Sequence, residues 1–530
     1  MDKALEMGKT SATGSVKLFI GRAVYTIVLG FGTIVLGLFI RQADYGLYTV
    51  AFIPVTAFLL FQDWGIGYAM VKFCAQCRAK NNNEGLRSLI ITGLSFSIVT
   101  GTALTLLCFA LSSFLASTVF NKPETAFLIA LASVNILLLA LLNISQNFFV
   151  GFERMEFYSY ALICQAAIQA VSAPLLVYLG YGALGAAVSY TLASASACAL
   201  SLIFLYKSIY AKMPSNEEKK ASRYNLKTLL KYGVPLAVSG IMSGGLSQFT
   251  NFIIASFFNS ALIGNFRIAV NFSVLLTFFT IPITTVLFPA FSKLDPRNEG
   301  AVLKSVFTSS VKYAAVFLMP VTLAVIVFSH PLIYTIYGAK WPFAPNLLAA
   351  NIIGNLFVIL GSLSVTIFLQ GVGETKLVLK LNLLSLLIGA PISYVVAREF
   401  GLYWMLIASA LTGLPSFLLA IQFIRKRYDA TIDFQASIRI LVASLVVAAV
   451  SYLLVSALTV SEWLKLAVGI VVFLILYLIS LPLSGAVNQT DVDDLRGMFH
   501  GLGPARKVLE LLLRVPETIL NAISKIRRRG

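Results

Sequence analysis

The stretch FIGRAVYTIVLGFGTIVLGLFI, from Phe19 to Ile40, is 22 residues long and holds a single full charge, Arg22. A helix that spans a bilayer needs about 20 predominantly apolar residues. The whole chain has the same character, because 58% of its 530 residues are hydrophobic and only 12% are charged. An ordinary soluble protein is about 45–50% apolar and about 25% charged. No water-soluble core could enclose this much apolar surface, so the sequence predicts an all-α polytopic membrane protein.

Apolar runs of similar length recur along the chain, separated by short polar gaps. We count fourteen spanning helices between residues 14 and 483, with the second at 46–70. Alternate gaps are poor in basic residues, whereas those between them are rich in Lys and Arg, as from Lys207 to Lys227. By the positive-inside rule the basic side is cytoplasmic. The pattern therefore predicts a multi-pass protein of the plasma (inner) membrane with both termini in the cytoplasm.

The net charge of +18 is explained by this topology and by contact with anionic lipid headgroups at the inner loops and tail. No motif for nucleic-acid binding accompanies it. The tail from Arg506 reads RKVLELLLRVPETILNAISKIRRR, with apolar positions at helical spacing between charges. It is typical of an amphipathic helix that lies on the inner leaflet.

A short motif recurs six helices apart. GLYTVAF begins at Gly46 and GNFRIAVNF begins at Gly264, and both place an aromatic residue two positions after the glycine. Six is an even number of helices, so the halves would share one orientation, as parallel transporter repeats do, with the substrate site between them. The predicted segments are an N-lobe at 1–206, a cytosolic linker at 207–227, a C-lobe at 228–425, two further spans at 426–485 and a cytosolic tail at 486–530. Each lobe would hold six helices in a parallel pseudo-repeat.

The stretch FIRQADYGLYTVAF, followed by FQDWGIGYAMVKF, resembles the first-lobe pattern of lipid-linked oligosaccharide flippases. These form the polysaccharide-exporter branch of the multidrug/oligosaccharidyl-lipid/polysaccharide superfamily. Similar motifs follow in the right order: KYGVPLAV at Lys231, LFPAFSKL at Leu287, YGAKWPFAPNLL at Tyr337 and LQGVGETKLVLKLN at Leu369.

The resemblance implies a central cavity and alternating access. It also implies a polyisoprenyl-(pyro)phosphate-linked oligosaccharide as the substrate, moved from the cytosolic to the outer leaflet, with other glycan-assembly membrane proteins as partners. By position, Arg41, Tyr45, Gly46 and Tyr48 fit the family's outer loop. Asn251 stands where the family's seventh span commonly has an acidic residue, which puts a cation site there in doubt.

Three charges lie inside predicted spans, where a charge is costly and usually has a task. Arg22 and Asp63 fall at similar depth, so they either pair to lock two helices or Arg22 meets an anionic headgroup with Asp63 orienting it. Arg267 has no acidic residue in its span; it either reaches the membrane surface or lines the cavity. Arginine suits a phosphate because its planar fork donates two parallel hydrogen bonds.

Amide side chains also cluster in the spans. Asn143, Gln146 and Asn147 lie in the fourth span, and Gln248 and Asn251 lie in the seventh. Such amides either join helices to one another or contact sugar hydroxyls. The predicted substrate-binding residues are Arg22, Arg41, Asp63, Gln248, Asn251 and Arg267.

Enzyme chemistry is not expected. The outer gaps hold no acidic or His cluster of the kind that a polytopic glycosyltransferase or polymerase would need. Only two histidines occur, and the CxxC of Cys74 and Cys77 has no second pair, so we predict no catalytic residue, metal or cofactor. The alternative function is a cation-coupled multidrug exporter of the same superfamily, with Asp63 as its carboxylate.

Overall fold

The computed structural model describes residues 2–213, 226–499 and 505–527. Within these ranges the chain forms α-helices joined by short turns and brief 3₁₀ or π-helical segments, and no strand occurs in them. This confirms the all-α prediction. The chain divides into two compact units, Met1–Asn271 and Phe272–Gly530.

The described residues of the first unit form eight helices and the start of a ninth. They are α1 (Asp2–Phe39), α2 (Gln42–Leu59), α3 (Ile66–Ala79), α4 (Asn83–Phe114), α5 (Ala126–Gly151), α6 (Met155–Leu176), α7 (Gly182–Phe204), α8 (Leu226–Phe257) and α9 (Ser260–Ser292). π-helical turns extend α4, α6 and α7 at Leu115–Val119, Val177–Tyr181 and Leu205–Ile209.

In the second unit, the residues that the structure describes form the rest of α9 and eleven further helices. They are α10 (Gly300–Val327), α11 (Ser329–Tyr337), α12 (Ala344–Ile352), α13 (Ser362–Gly371), α14 (Thr375–Phe400), α15 (Leu402–Thr412), α16 (Leu414–Tyr428), α17 (Phe434–Ala457), α18 (Glu462–Leu483), α19 (Gln489–Phe499) and α20 (Ala505–Arg527). A 3₁₀ segment, Ile353–Leu360, follows α12.

Ten helices in the described ranges are long and apolar enough to cross a membrane, or 12 if each of two bent pairs is one span. The multi-pass prediction is thus confirmed, but the count of fourteen is not. One difference lies in the 58-residue stretch Met155–Lys212, which satisfies the criteria as a single helix although about 20 residues suffice to cross. Gly180 (φ 94°) and Gly182 (φ 49°) interrupt that stretch between α6 and α7.

The second predicted span is broken, and the expectation of one continuous helix at 46–70 was wrong. The chain leaves α2 at Leu59 and enters α3 only at Ile66. Between them Trp64 (φ 46°) and Gly65 (φ 76°) adopt left-handed backbone conformations, which a continuous right-handed helix cannot contain. Asp63 therefore lies in the break between two helices and not within a span.

The two copies of the repeated motif meet where α2 and α9 begin. A Cβ added to Gly46 would lie 1.8 Å from the carbonyl oxygen of Ser260, and a Cβ added to Gly264 would lie 2.1 Å from that of Gln42. Gln42 and Ser260 each lie four residues before the glycine of their own helix. The contact is therefore reciprocal and in the same register on both helices, which supports the internal repeat.

In the second unit the C-terminal helices pack onto the spanning helices. Lys312 of α10 forms an ion pair with Asp491 of α19 at 2.6 Å. Leu513 and Leu520 of α20 pack against the buried apolar cluster formed by α10, α17 and α18. Lys312 is thus paired within the protein. Contact of α20 with lipid stays a prediction.

Candidate functional site

Aromatic side chains form a wall along the first half of α2. Positions three or four apart share one face of a helix, and the rings of Tyr45, Tyr48 and Phe52 follow this spacing. Their centroids are 6.0 Å apart for the first pair and 5.0 Å for the second. Tyr190 of α7 extends the wall, because its ring lies edge-on to Phe52 at 4.7 Å.

Arg267 of α9 lies against this wall. Its side chain is hydrogen-bonded to Tyr45, and the ionisable groups that act on it are the tyrosines Tyr45, Tyr48 and Tyr190, with no carboxylate among them. Asn271 Nδ2 donates to the Tyr45 hydroxyl at 2.9 Å. The Nε of Arg267 is buried, and no hydrogen-bond partner for it exists in the described residues. The guanidinium thus keeps donor capacity that an anion could use.

One amide of α8, that of Gln248, contacts α2 one turn beyond the aromatic wall. Thr56 Oγ1 donates to Gln248 Oε1 at 3.1 Å, and Asn251 Nδ2 donates to the same oxygen at 3.4 Å. Gln248 and Asn251 therefore lie side by side on α8, and their role as site residues stays a prediction. Gln248 thus joins α8 to α2, whereas the hydrogen bond of Asn251 stays within α8.

A second polar region lies where α2 ends. A cavity of about 270 Å³ is lined there by Gln62, Asp63, Tyr68, Gln146, Asn147 and Tyr158, among others. Asp63 Oδ1 accepts a hydrogen bond from the Gly67 backbone N–H at 2.8 Å. In the part of the chain that the structure describes, no basic side chain pairs with Asp63. A set of one carboxylate, several amides and two phenols can bind neutral polar ligands.

The remaining predicted site residues lie apart from these regions. Arg22 is exposed on α1, and no ion pair joins it to Asp63 within the described ranges, so the interpretation in which these two lock adjacent helices was wrong. α1 packs instead on α6, where a Cβ on Gly32 would lie 2.4 Å from the Cα of Ala170. Arg41 is exposed and immediately precedes α2.

Several residues of both regions were missed by sequence reasoning or misplaced by it. Tyr45 and Tyr48 were assigned to an outer loop, whereas both are buried in α2. Their spacing from Phe52 could have identified the aromatic face. Nothing in the sequence indicated that Tyr190 or Asn271 would join Arg267. The described residues contain no group of three or more His, Cys, Asp or Glu that could hold a metal ion.

Solved structures of membrane transporters share the fold of this chain. The lipid II flippase MurJ in an inward closed conformation superposes with a TM-score of 0.70 at 17% identity, covering 88% of this chain and 98% of that one. An inward-facing MATE multidrug transporter of the MOP superfamily gives 0.64 at 18% identity, covering 78% and 98%.

The chain matches the family model described as polysaccharide biosynthesis protein over residues 35–344, and it belongs to that family. One relative is the probable low-salt glycan biosynthesis flippase Agl15 of Haloferax volcanii, 21% identical over 53% of this chain and 59% of the relative. Another is the lipopolysaccharide biosynthesis protein WzxC of Escherichia coli, 24% identical over 59% and 61%. The chain thus spans about three-fifths of the length of these relatives. The family resemblance read from the sequence is confirmed.

Proposed function

We propose that this protein is a flippase that moves a polyisoprenyl-(pyro)phosphate-linked oligosaccharide from the cytosolic to the outer leaflet by alternating access. The product would serve the assembly of a cell-surface polysaccharide or glycan. Membership of the polysaccharide biosynthesis family supports this function, as do the flippase and lipopolysaccharide names of its relatives. We place it in the plasma (inner) membrane with both termini cytoplasmic.

The observation that carries the proposal is the environment of Arg267. Within the described residues, Arg267 is buried among three tyrosines, no carboxylate is among the ionisable groups that act on it, and its buried Nε has no partner. Such a guanidinium is best stabilised by an anionic ligand. Buried charges are costly unless they are paired. Phosphate oxygens match the planar fork of arginine in geometry and charge. Arg267 would therefore bind the (pyro)phosphate of the lipid-linked glycan.

The membrane potential can drive this transport without a nucleotide. An inside-negative potential contributes about 2.3 kcal/mol per elementary charge per 100 mV. A pyrophosphate diester carries roughly two negative charges, so its export gains about twice that amount. We therefore assign the protein no catalytic residue and no cofactor.

We further propose that segments 1–206 and 228–425 are the moving lobes, joined by the linker 207–227 and followed by the spans at 426–485 and the tail at 486–530. Arg22, Arg41, Asp63, Gln248 and Asn251 would add contacts to the substrate. Anionic lipids would bind the basic inner loops and tail, and glycan-assembly proteins would deliver the substrate.

The test is ligand binding by the purified full-length protein in nanodiscs, followed by thermal stabilisation. A polyisoprenyl pyrophosphate should stabilise the wild-type protein more than the neutral polyisoprenol of the same chain length. Arg267→Gln should abolish the difference, and Arg267→Lys should retain part of it, because lysine keeps the charge but loses the fork.

Arg87→Gln is the matched control. Arg87 also has a buried Nε without a partner in the described residues, but its Nη2 donates to the Met213 carbonyl at 2.6 Å, so this variant should keep the pyrophosphate preference. Equal stabilisation of wild type and Arg267→Gln by the pyrophosphate would refute the phosphate role of Arg267.

Asp63 favours the second candidate function, a cation-coupled multidrug exporter, because its carboxylate lies in a polar cavity without a basic partner in the described residues. The fold likeness to a MATE transporter is compatible with this reading. Three results together would favour the exporter over the flippase. Lipophilic cations would stabilise the wild-type protein, Asp63→Asn would lose this stabilisation, and the pyrophosphate would have no effect.

A further inference from the structure

The cavity at the end of α2 contains two polar groups that are buried without partners. Gln62 is 4% exposed and Gln146 is 7% exposed. The Oε1 of Gln62 and the Nε2 of Gln146 have no hydrogen-bond partner among the described residues, and both residues line the cavity. Buried polar groups are nearly always hydrogen-bonded in native proteins. A ligand in this cavity would therefore need to satisfy one acceptor and one donor.

Asp63 adds a strong acceptor to the same cavity. Its Oδ1 accepts from the Gly67 N–H, which leaves Oδ2 for another donor. A Cβ at Gly67 would lie 2.3 Å from Asn147 Nδ2 and 3.2 Å from Asp63 Oδ2. The glycine thus allows the amide of Asn147 and the carboxylate of Asp63 to approach the same point of the cavity wall.

The mixture of donors and acceptors discriminates between ligand classes. A bound metal cation is surrounded by oxygen ligands, and the amide N–H groups of Gln146 and Asn147 would repel it. A sugar hydroxyl both donates and accepts. One hydroxyl can therefore donate to Asp63 or to Gln62 while it accepts from Gln146. The rings of Tyr68 and Tyr158 in the wall can pack against the apolar C–H face of a pyranose.

The size of the cavity limits the ligand further. Pockets for drug-sized molecules measure about 300–1,000 Å³, and this cavity of about 270 Å³ is slightly smaller. The cavity is large enough for one monosaccharide. It is also distinct from the Arg267 region, since the part of α2 between Tyr48 and Leu59 spans about 16 Å at 1.5 Å per residue, and Asp63 follows the end of that helix.

We propose that this cavity, formed by Gln62, Asp63, Gln146 and Asn147, binds one neutral sugar residue through its hydroxyl groups. It thereby selects which glycan the protein accepts. The proposal rests on the flippase function proposed above and assigns a separate subsite to the sugar. Binding here depends on uncharged hydrogen bonds and on Asp63, and not on Arg267.

The experiment is calorimetric titration of the full-length protein in nanodiscs with a panel of neutral methyl hexosides and methyl N-acetylhexosaminides. At least one glycoside should bind the wild-type protein. Gln62→Met and Gln146→Met, which keep side-chain length but remove the unpartnered acceptor and donor, should each weaken binding about tenfold. Gln169→Met is the matched control, because Gln169 is an amide of α6 that does not line the cavity, and this variant should bind as the wild type does.

Two outcomes would overturn the proposal. The first is that no glycoside binds up to its solubility limit, whether or not Na⁺ or K⁺ binds in a way that depends on Asp63. The second is that glycoside binding is unchanged in both glutamine variants. The polyisoprenyl pyrophosphate titration in the same preparation separates this failure from failure of the flippase proposal. Pyrophosphate binding without glycoside binding contradicts only the sugar subsite, and glycoside binding without pyrophosphate binding contradicts only the phosphate role of Arg267.

Discussion

The contact between Gly46 and Gly264 predicts a specific pattern of stability changes. The Cβ of Gly46→Ala would lie 1.8 Å from the Ser260 oxygen, and an ordinary contact begins near 3.4 Å. The obstacle is backbone, which cannot rotate away as a side chain can. α2 and α9 would therefore have to separate by about 1.5 Å at this point, and Gly264→Ala would demand a similar shift against Gln42.

Overpacking of this kind costs typically about 1–3 kcal/mol. Alanine in a helix is also favoured over glycine by roughly 0.5–1 kcal/mol, so the steric cost must be measured against a neutral site. Gly30 of α1 provides it, since nothing lies within 4 Å of a Cβ added there. Relative to Gly30→Ala, the free energy of unfolding of Gly46→Ala and of Gly264→Ala should each be lower by about 1–3 kcal/mol, which is a factor of about 5–150 in the unfolding equilibrium constant.

The double variant Gly46→Ala with Gly264→Ala should cost less than the sum of the single variants, because one separation of the helices admits both methyl groups. Unfolding of the purified protein by sodium dodecyl sulfate, followed by circular dichroism, measures all four variants. Single variants as stable as Gly30→Ala, or strictly additive costs, would refute the reciprocal contact.

Two further predictions concern a buried ion pair and a buried thiol. Lys312→Met should release α19, because the ion pair of Lys312 with Asp491 is largely buried, at 16% and 9% side-chain exposure. Breaking a buried pair costs about 3–5 kcal/mol. Faster proteolysis of the C-terminal tail would show the release. Lys304→Met removes an exposed ion pair with Asp429 and should leave the rate of tail cleavage unchanged. Equal cleavage rates in Lys312→Met and Lys304→Met would contradict the role of the buried pair. Burial raises the pKa of the Cys74 thiol, so the native protein should resist maleimide at pH 8 at this position; rapid labelling without denaturant would disprove it.

The sequence predicted the class of protein, its helical content and its family, because apolar runs and ordered motifs are local features of the chain. It also identified Gly46 and Gly264 as equivalent positions, and the structure places them in one contact. Arg267 was singled out because an arginine in a span is conspicuous by itself. Its nearest groups were not predicted, since Tyr190 is far from it in sequence and only the fold brings them together.

The errors have physical causes as well. Hydropathy does not register a change in backbone direction, so the break at Trp64 and Gly65 was hidden inside an apolar run. Arg22 and Asp63 were paired on the assumption that helices adjacent in sequence pack together. The structure packs α1 on α6 instead, and similar depth in the membrane did not make the two charges neighbours.

The broken segment that contains Asp63 also bears on how the protein is made. The region 42–79 is absent from the described helices that are long and apolar enough to cross a membrane. α2 has 18 residues and α3 has 14, whereas a helix that spans a bilayer needs about 20. This region would therefore enter the bilayer poorly by itself during synthesis, and its integration would depend on the helices that shield it, such as α5. Mutations in α5 could then lower the amount of protein in the membrane without touching any binding residue.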